Sequence, residues 1–300
     1  EISRLAKNFA NYLIEEIKVE RNDRIAILTE SRPEFGIGIF ASIQTGAITV
    51  PLDCKLTVPE WTSILSDCKP RILCCSSHYI EQAKEIKQNV ASIEHIFILD
   101  KEKPEGCDIQ TTFEVKGDIE KDIGCPRTLD ETALIVYTSG TTGTAKGVLI
   151  ERGKLELPEH GIANCKEALF LQADKFAYIS SLSFVAFEYF LFSMVAVGGE
   201  LSVVPTEIIK NQERFIKFVD DYEITCGFFT SSFCSLFQKF PESIKKIFLG
   251  GEPVKGILYE NISLYCFYGQ SETGGLVSFY CIEKNSELCA VGIFGENSLK

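Results

Sequence analysis

Between Tyr137 and Val148 the chain reads Thr138-Ser139-Gly140-Thr141-Thr142-Gly143-Thr144-Ala145-Lys146-Gly147. That is three glycines, five hydroxyl side chains and one lysine, with nothing apolar larger than alanine. A plain turn does not need this density of hydroxyls beside a cation. Glycines let backbone N–H groups close on a ligand, hydroxyls donate further hydrogen bonds, and Lys146 supplies a point charge. The chemistry this suits is the binding of a phosphate chain. It is not the NTPase P-loop, because Lys146 is followed by Gly147 rather than Ser or Thr.

A second constellation is Tyr268-Gly269-Gln270-Ser271-Glu272-Thr273, which follows an apolar and aromatic run. Tyr268 offers a face on which a base could stack. Ser271 and Thr273 offer hydroxyls to phosphate, and Glu272 is a carboxylate suited to Mg²⁺ held against phosphate oxygens. A third stretch, Gly250-Gly251-Glu252-Pro253, ends another apolar run and is weak taken alone.

The elements around these stretches alternate. Ile2, Leu5, Ala6, Phe9, Ala10, Leu13, Ile14 and Ile17 recur at helical spacing, giving a helix over 2–18. Strands are expected at 24–28, 47–51, 71–75 and 95–99. The intervening helices start near Pro33, after Thr57 and at His78. Gly46 stops the first of these, and Thr57-Val58-Pro59-Glu60 is a capping box. Residues 101–130 break the pattern and read as a surface excursion. Ala133 to Tyr137 reads as a buried strand, and another begins at Val148. Beyond it, strands at 176–181, 201–204, 225–229, 247–249 and 264–267 alternate with helices at 187–197 and 215–222. The fold class is therefore α/β, with mostly parallel sheets covered by helices. We divide it into a first lobe, 1–175, ending with the phosphate loop, and a second, 176–300. In such sheets ligands bind beyond the carboxyl ends of the strands, which is where Gly250 and Tyr268 fall.

The formal charge of −12 over 300 residues excludes nucleic acid and anionic membrane surfaces as expected partners. No apolar run is long enough to span a bilayer. The chain opens inside an amphipathic helix, so it is expected to start within a longer gene product. The 12 cysteines are scattered, without a Cys-x-x-Cys pair, and there are only 3 histidines. Small buried thiols in a reducing cytoplasm are expected, not bridges or metal ligands.

Together the stretches identify a resemblance. Tyr137 to Gly147 resembles the phosphate loop of the adenylate-forming superfamily of acyl-CoA synthetases, luciferases and peptide-synthetase adenylation domains, with Ala145 where proline is usual. Tyr268 to Gly275 is similar to that family's adenine and magnesium motif, in the form seen in acyl-CoA synthetases. Gly250 to Pro253 resembles the segment beside adenine and ribose, and Gly46 to Asp53 an early structural motif. The resemblance implies that MgATP and a small carboxylic acid give acyl-AMP and pyrophosphate. The acyl group then passes to a thiol, either coenzyme A or the phosphopantetheine of a carrier protein. It implies nucleotide contacts from Thr138, Ser139, Gly140, Thr141, Thr142, Gly143, Lys146, Gly251, Glu252, Pro253, Tyr268, Gly269, Gln270, Ser271 and Thr273. Lys146, Glu272 and Thr273 are the residues implied for catalysis, and Glu272 for the metal.

The resemblance places the acid near 183–189, 228–232 and 248, with Phe184, Val185, Tyr189, Phe228, Phe248, Gly250 and Gly275 as candidate contacts. Aligned without gaps to Gly198, Val185 stands where amino-acid-activating members carry an aspartate for the substrate ammonium. A buried valine leaves that charge unpaired. An aryl, fatty or keto acid is therefore expected over an α-amino acid. The family's ribose aspartate, hinge and C-terminal domain would lie beyond Lys300, so this part alone is expected to bind nucleotide poorly and catalyse little. Two alternatives stand: an amino-acid adenylation domain, and a non-catalytic nucleotide-binding relative.

Overall fold

A parallel strand covered by helices on both faces has no solvent side, so its sequence is an almost unbroken apolar run. Ile72-Leu73-Cys74-Cys75 is such a run and forms a fully buried strand. The computed structural model describes residues 1–121, 123, 128–138, 145–156, 170–254 and 259–282. The chain divides into two units, 1–153 with 181–183, and 154–180 with 184–300.

The first unit opens with α1 (Ile2–Glu15), β1 (Arg24–Leu28), α2 (Phe35–Thr45), β2 (Ile48–Leu52) and α3 (Val58–Cys68). It continues through β3 (Ile72–Cys75), α4 (Ile80–Asn89), β4 (His95–Ile98), β5 (Thr132–Thr138) and β6 (Lys146–Glu151), and short α5 (Arg152–Glu156) follows. The strand order is β4-β3-β1-β2-β5-β6. Ala26 lies beside Val50 on one side and Leu73 on the other, both parallel. The last pair differs: β5 and β6 are antiparallel, with Thr138 opposite Lys146. The strand expected from Val148 thus begins at Lys146 and folds back on β5. Trp61, Ile64 and Leu65 of α3 pack with Leu28, Val50 and Leu73 in the core of this unit.

Helix α1 stops earlier than its apolar period, because Lys18 takes a left-handed φ of 59° and Val19 N–H donates to Leu13 O. Helix α2 ends at Gly46, whose φ of 80° few other residues adopt without strain. At the start of α3, Glu60 accepts from the Thr57 N–H at 2.7 Å, as the capping box requires, and also from the Thr57 hydroxyl at 2.6 Å. The 101–130 excursion is tied down in its described part. Thr112 N–H donates to Ile98 O, Asn8 Nδ2 donates to Val115 O, and Gly117 N–H donates to Asn8 Oδ1. Thr111, Thr112 and Val115 are buried as a result.

The second unit contains β7 (Lys175–Tyr178), α6 (Val185–Val197), β8 (Glu200–Val203), α7 (Thr206–Ile209) and α8 (Gln212–Asp221). Then come β9 (Cys226–Phe229), α9 (Ser231–Cys234), β10 (Lys246–Leu249), β11 (Ser263–Gln270) and β12 (Gly275–Cys281). The order is β12-β11-β10-β9-β7-β8, parallel except for β11 with β12. Gly227 sits where a Cβ would come within 2.5 Å of the Phe229 ring and 2.8 Å of Ala177 O, so the chain needs glycine there. Lys246 Nζ meets Asp174 Oδ2 at 2.6 Å at the amino ends of β10 and β7. Each sheet is thus parallel, with one antiparallel hairpin at an edge, and each hairpin carries a chemistry-bearing stretch.

Candidate active site

In the first unit, Thr138 closes β5 and Lys146 opens β6. Ser139, Gly140, Thr141, Thr142, Gly143 and Thr144 lie outside the described residues. What borders them is firmly seated. The Tyr137 hydroxyl donates to the Asp67 carboxylate of α3, and burial first, then that carboxylate, push the phenol well above its ordinary value. Ala145 packs on the core of this unit. Gly147 lies where a Cβ would meet Ile135 Cγ2 at 2.9 Å and the Tyr137 ring at 3.2 Å, so this glycine serves packing. Lys146, between Ala145 and Gly147, is exposed. An exposed cation at a strand end is suited to a phosphate oxygen.

In the second unit the strand expected to end at Phe267 runs on to Gln270. Tyr268 and Gly269 therefore belong to β11, at an irregularity in its pairing with β12. Tyr268 is 49% exposed and offers its ring to solvent. Ser271, Glu272 and Thr273 form a single 3₁₀ turn, closed by Gly274 at φ 75°. Gln270 N–H donates to Thr273 Oγ1 at 3.4 Å, and that hydroxyl donates to Gln270 O at 2.8 Å. Thr273 thus holds the turn together, and the Glu272 carboxylate at its apex is exposed. Gly275 begins β12. Among the described residues no cluster of three or more His, Cys, Asp or Glu could cage a metal. One exposed carboxylate fits Mg²⁺ that arrives already bound to phosphate oxygens.

Gly250 follows β10, and a Cβ there would stand 2.9 Å from the Phe228 ring. Gly251 has φ 81°, and Pro253 is exposed. Glu252 turns to α9, where its carboxylate accepts the Ser232 N–H. That backbone bond, then the Ser232 hydroxyl, hold it below the usual carboxylate range.

The candidate acid contacts separate. Phe184, the N-cap of α6, is 57% exposed, whereas Val185 and Tyr189 are buried. Phe228 stacks on Tyr178 with ring centroids 6.0 Å apart. Phe248 is fully buried among the rings of Phe170, Phe176, Phe190, Tyr265 and Phe267. Sequence reasoning passed over Glu188. It is fully buried on α6, and among the described residues neither of its carboxylate oxygens has a hydrogen-bond partner. Burial holds this carboxyl well above the usual range. Burial, then the nearby Glu188, hold the Tyr178 phenol well above its ordinary value. The available signal was a lone acid inside the apolar run from Phe184 to Phe192.

The model of the AMP-binding enzyme family matches residues 1–295. The chain is 25% identical to fumosorinone synthetase of Cordyceps fumosorosea (strain ARSEF 2679), over 92% of this chain and 7% of that protein. It is 27% identical to luciferin 4-monooxygenase of Photuris pensylvanica, over 84% of this chain and 47% of that one. The chain thus spans less than half the length of either relative. A solved structure of o-succinylbenzoate coenzyme A synthetase from Bacillus subtilis, in complex with ATP and magnesium ion, shares the fold. Its TM-score is 0.76 and identity 21%, covering 94% of this chain and 70% of that one. No helix among the described residues is long and apolar enough to cross a membrane.

Proposed function

Because the chain belongs to the AMP-binding enzyme family, we propose that it is the larger part of an adenylate-forming ligase core. The reaction is attack of a substrate carboxylate on the α-phosphorus of ATP. It forms the acyl-phosphate bond, breaks the bond to pyrophosphate and leaves acyl-AMP. A thiol, that of coenzyme A or a carrier phosphopantetheine, then takes the acyl group and releases AMP. The observation that carries this reading is Lys146, exposed on a fixed strand end directly after the hydroxyl-rich stretch.

No residue forms a covalent bond in this chemistry, so the protein's work is positioning and charge. Lys146 holds a phosphate oxygen and neutralises charge that builds as pyrophosphate leaves. Thr138 and the backbone of 139–144 orient the phosphate chain. Tyr268 stacks on the adenine, with Gly250, Gly251, Glu252 and Pro253 bordering it. Thr273 keeps the turn shaped so that Glu272 is presented to Mg²⁺, which when bound screens the phosphates from the incoming carboxylate. Val185, Tyr189 and Phe228 offer an apolar surface to the acid, which favours an aryl, fatty or keto acid over an α-amino acid. Buried unbridged thiols, such as Cys74, Cys75 and Cys226, suit a reducing cytoplasm.

The test is exchange of labelled pyrophosphate into ATP with a panel of carboxylic acids, using the protein that contains this chain. Acid-dependent exchange is expected, and Glu272→Gln should shift its magnesium titration to higher concentrations. No exchange with any acid by a folded protein would overturn the reading. An unchanged titration would return Glu272 to the role of a solvated turn residue.

A further inference from the structure

A buried carboxyl without hydrogen bonds is costly, and an apolar residue of equal size would remove the cost. Glu188 keeps it: the residue is 0% exposed, and among the described residues neither oxygen is hydrogen-bonded. Its place in the fold is specific. Phe187, the residue before Glu188 on α6, packs its ring on Tyr178 with centroids 5.1 Å apart, and Tyr178 is the last residue of β7. Phe228, stacked on Tyr178, stands near the carboxyl end of the adjacent parallel strand β9. The carboxyl ends of parallel strands are where ligands of open α/β sheets bind. Val185, one turn before Glu188 on the same helix, offers neither charge nor hydrogen bond.

We propose that Glu188 is the specificity-determining group of the acid-binding site, taking the hydrogen bond of a hydroxyl or amino group on the tail of the carboxylic acid. This rests on the acid activation proposed above. The protonated carboxyl that burial favours both donates to and accepts from a hydroxyl; toward an amine it accepts. A substrate lacking the donor leaves the carboxyl orphaned, and a site built around a buried polar group rejects such an analogue.

The experiment measures pyrophosphate exchange with matched acids: benzoate, 4-hydroxybenzoate and 4-aminobenzoate, and hexanoate, 6-hydroxyhexanoate and 6-aminohexanoate. In at least one series the wild-type protein should favour a donor-bearing member over its parent by about tenfold or more in kcat/KM. Glu188→Leu should abolish or invert that ratio, while Glu188→Gln, which keeps a donor and an acceptor, should retain it for the hydroxy acids. If the leucine variant fails to fold, Glu188→Met, nearly isosteric with glutamate but without an oxygen or a donor, takes its place with the same expectation. Preference for the parent acids in both series, or a ratio left unchanged by the apolar replacement of Glu188, overturns the inference and leaves acid activation standing. Absence of exchange with every acid overturns acid activation itself, and this inference with it.

Discussion

Lys146 and Val185 show how much rests on a single side chain. Lys146 is exposed, so Lys146→Ala should change stability by less than about 0.5 kcal/mol. Its effect should fall on the ATP KM, raised about tenfold or more if one charge-assisted hydrogen bond to phosphate is lost. Melting curves beside ATP titrations check this, and a collapse in melting temperature would make the lysine structural. Val185 is 7% exposed. Val185→Asp would place a second carboxyl one turn from Glu188 in low-dielectric surroundings, and both would resist ionisation. Exchange with the native acid should fall steeply, while near wild-type efficiency would show that Val185 does not border the acid.

At the scale of elements, the two edge hairpins explain why the chemistry-bearing stretches sit where they do. A parallel strand must be followed by a long crossover, whereas an antiparallel return lets a short turn stand open at a sheet edge. The β11–β12 turn depends on Gly274, whose φ is 75° and whose Cβ position lies 3.2 Å from Lys154 Cγ. Gly274→Ala should therefore cost about 1 kcal/mol or more through backbone strain. Because that strain falls on the turn bearing Glu272, the magnesium titration should shift with it. Paired denaturant unfolding and magnesium titrations test both, and a variant as stable as wild type would mean that the turn relaxes freely.

At the scale of the whole molecule, buried Glu188 shapes stability against pH. Its folded pKa is raised, so the folded protein holds a proton that the unfolded chain releases above the usual carboxylate value. Its contribution is fully present below that value and is lost as pH rises toward the folded pKa. Glu188→Gln cannot titrate. Relative to wild type the variant should gain stability steadily from about pH 4.5 upward. Tyr178 does not oppose this, since its phenol is held well above its ordinary value. Urea unfolding of both proteins between pH 5 and 9 measures the gap, and a gap that stays constant would show Glu188 to be ionised or hydrogen-bonded in the fold.

The α/β class and the run of elements were legible because apolar periodicity, Gly46 and the Thr57–Glu60 box act within a few residues of themselves. The phosphate-binding character of 138–146 was legible for a similar reason, since hydroxyls, glycines and a cation are concentrated in one stretch. Pairing direction was not. Whether β6 and β12 run with or against their neighbours depends on how the chain returns, and Val148-Leu149-Ile150 reads the same in either direction. Nor could the sequence separate Phe184, which is exposed, from Phe248, which is enclosed by five rings. The fate of Glu188 was hidden as well. Surface acids are common on helices, and only the packing of α6 in its unit decided that this one is buried without a hydrogen-bond partner among the described residues. Local chemistry is written in neighbouring residues, whereas burial and pairing are set by residues far apart in the chain.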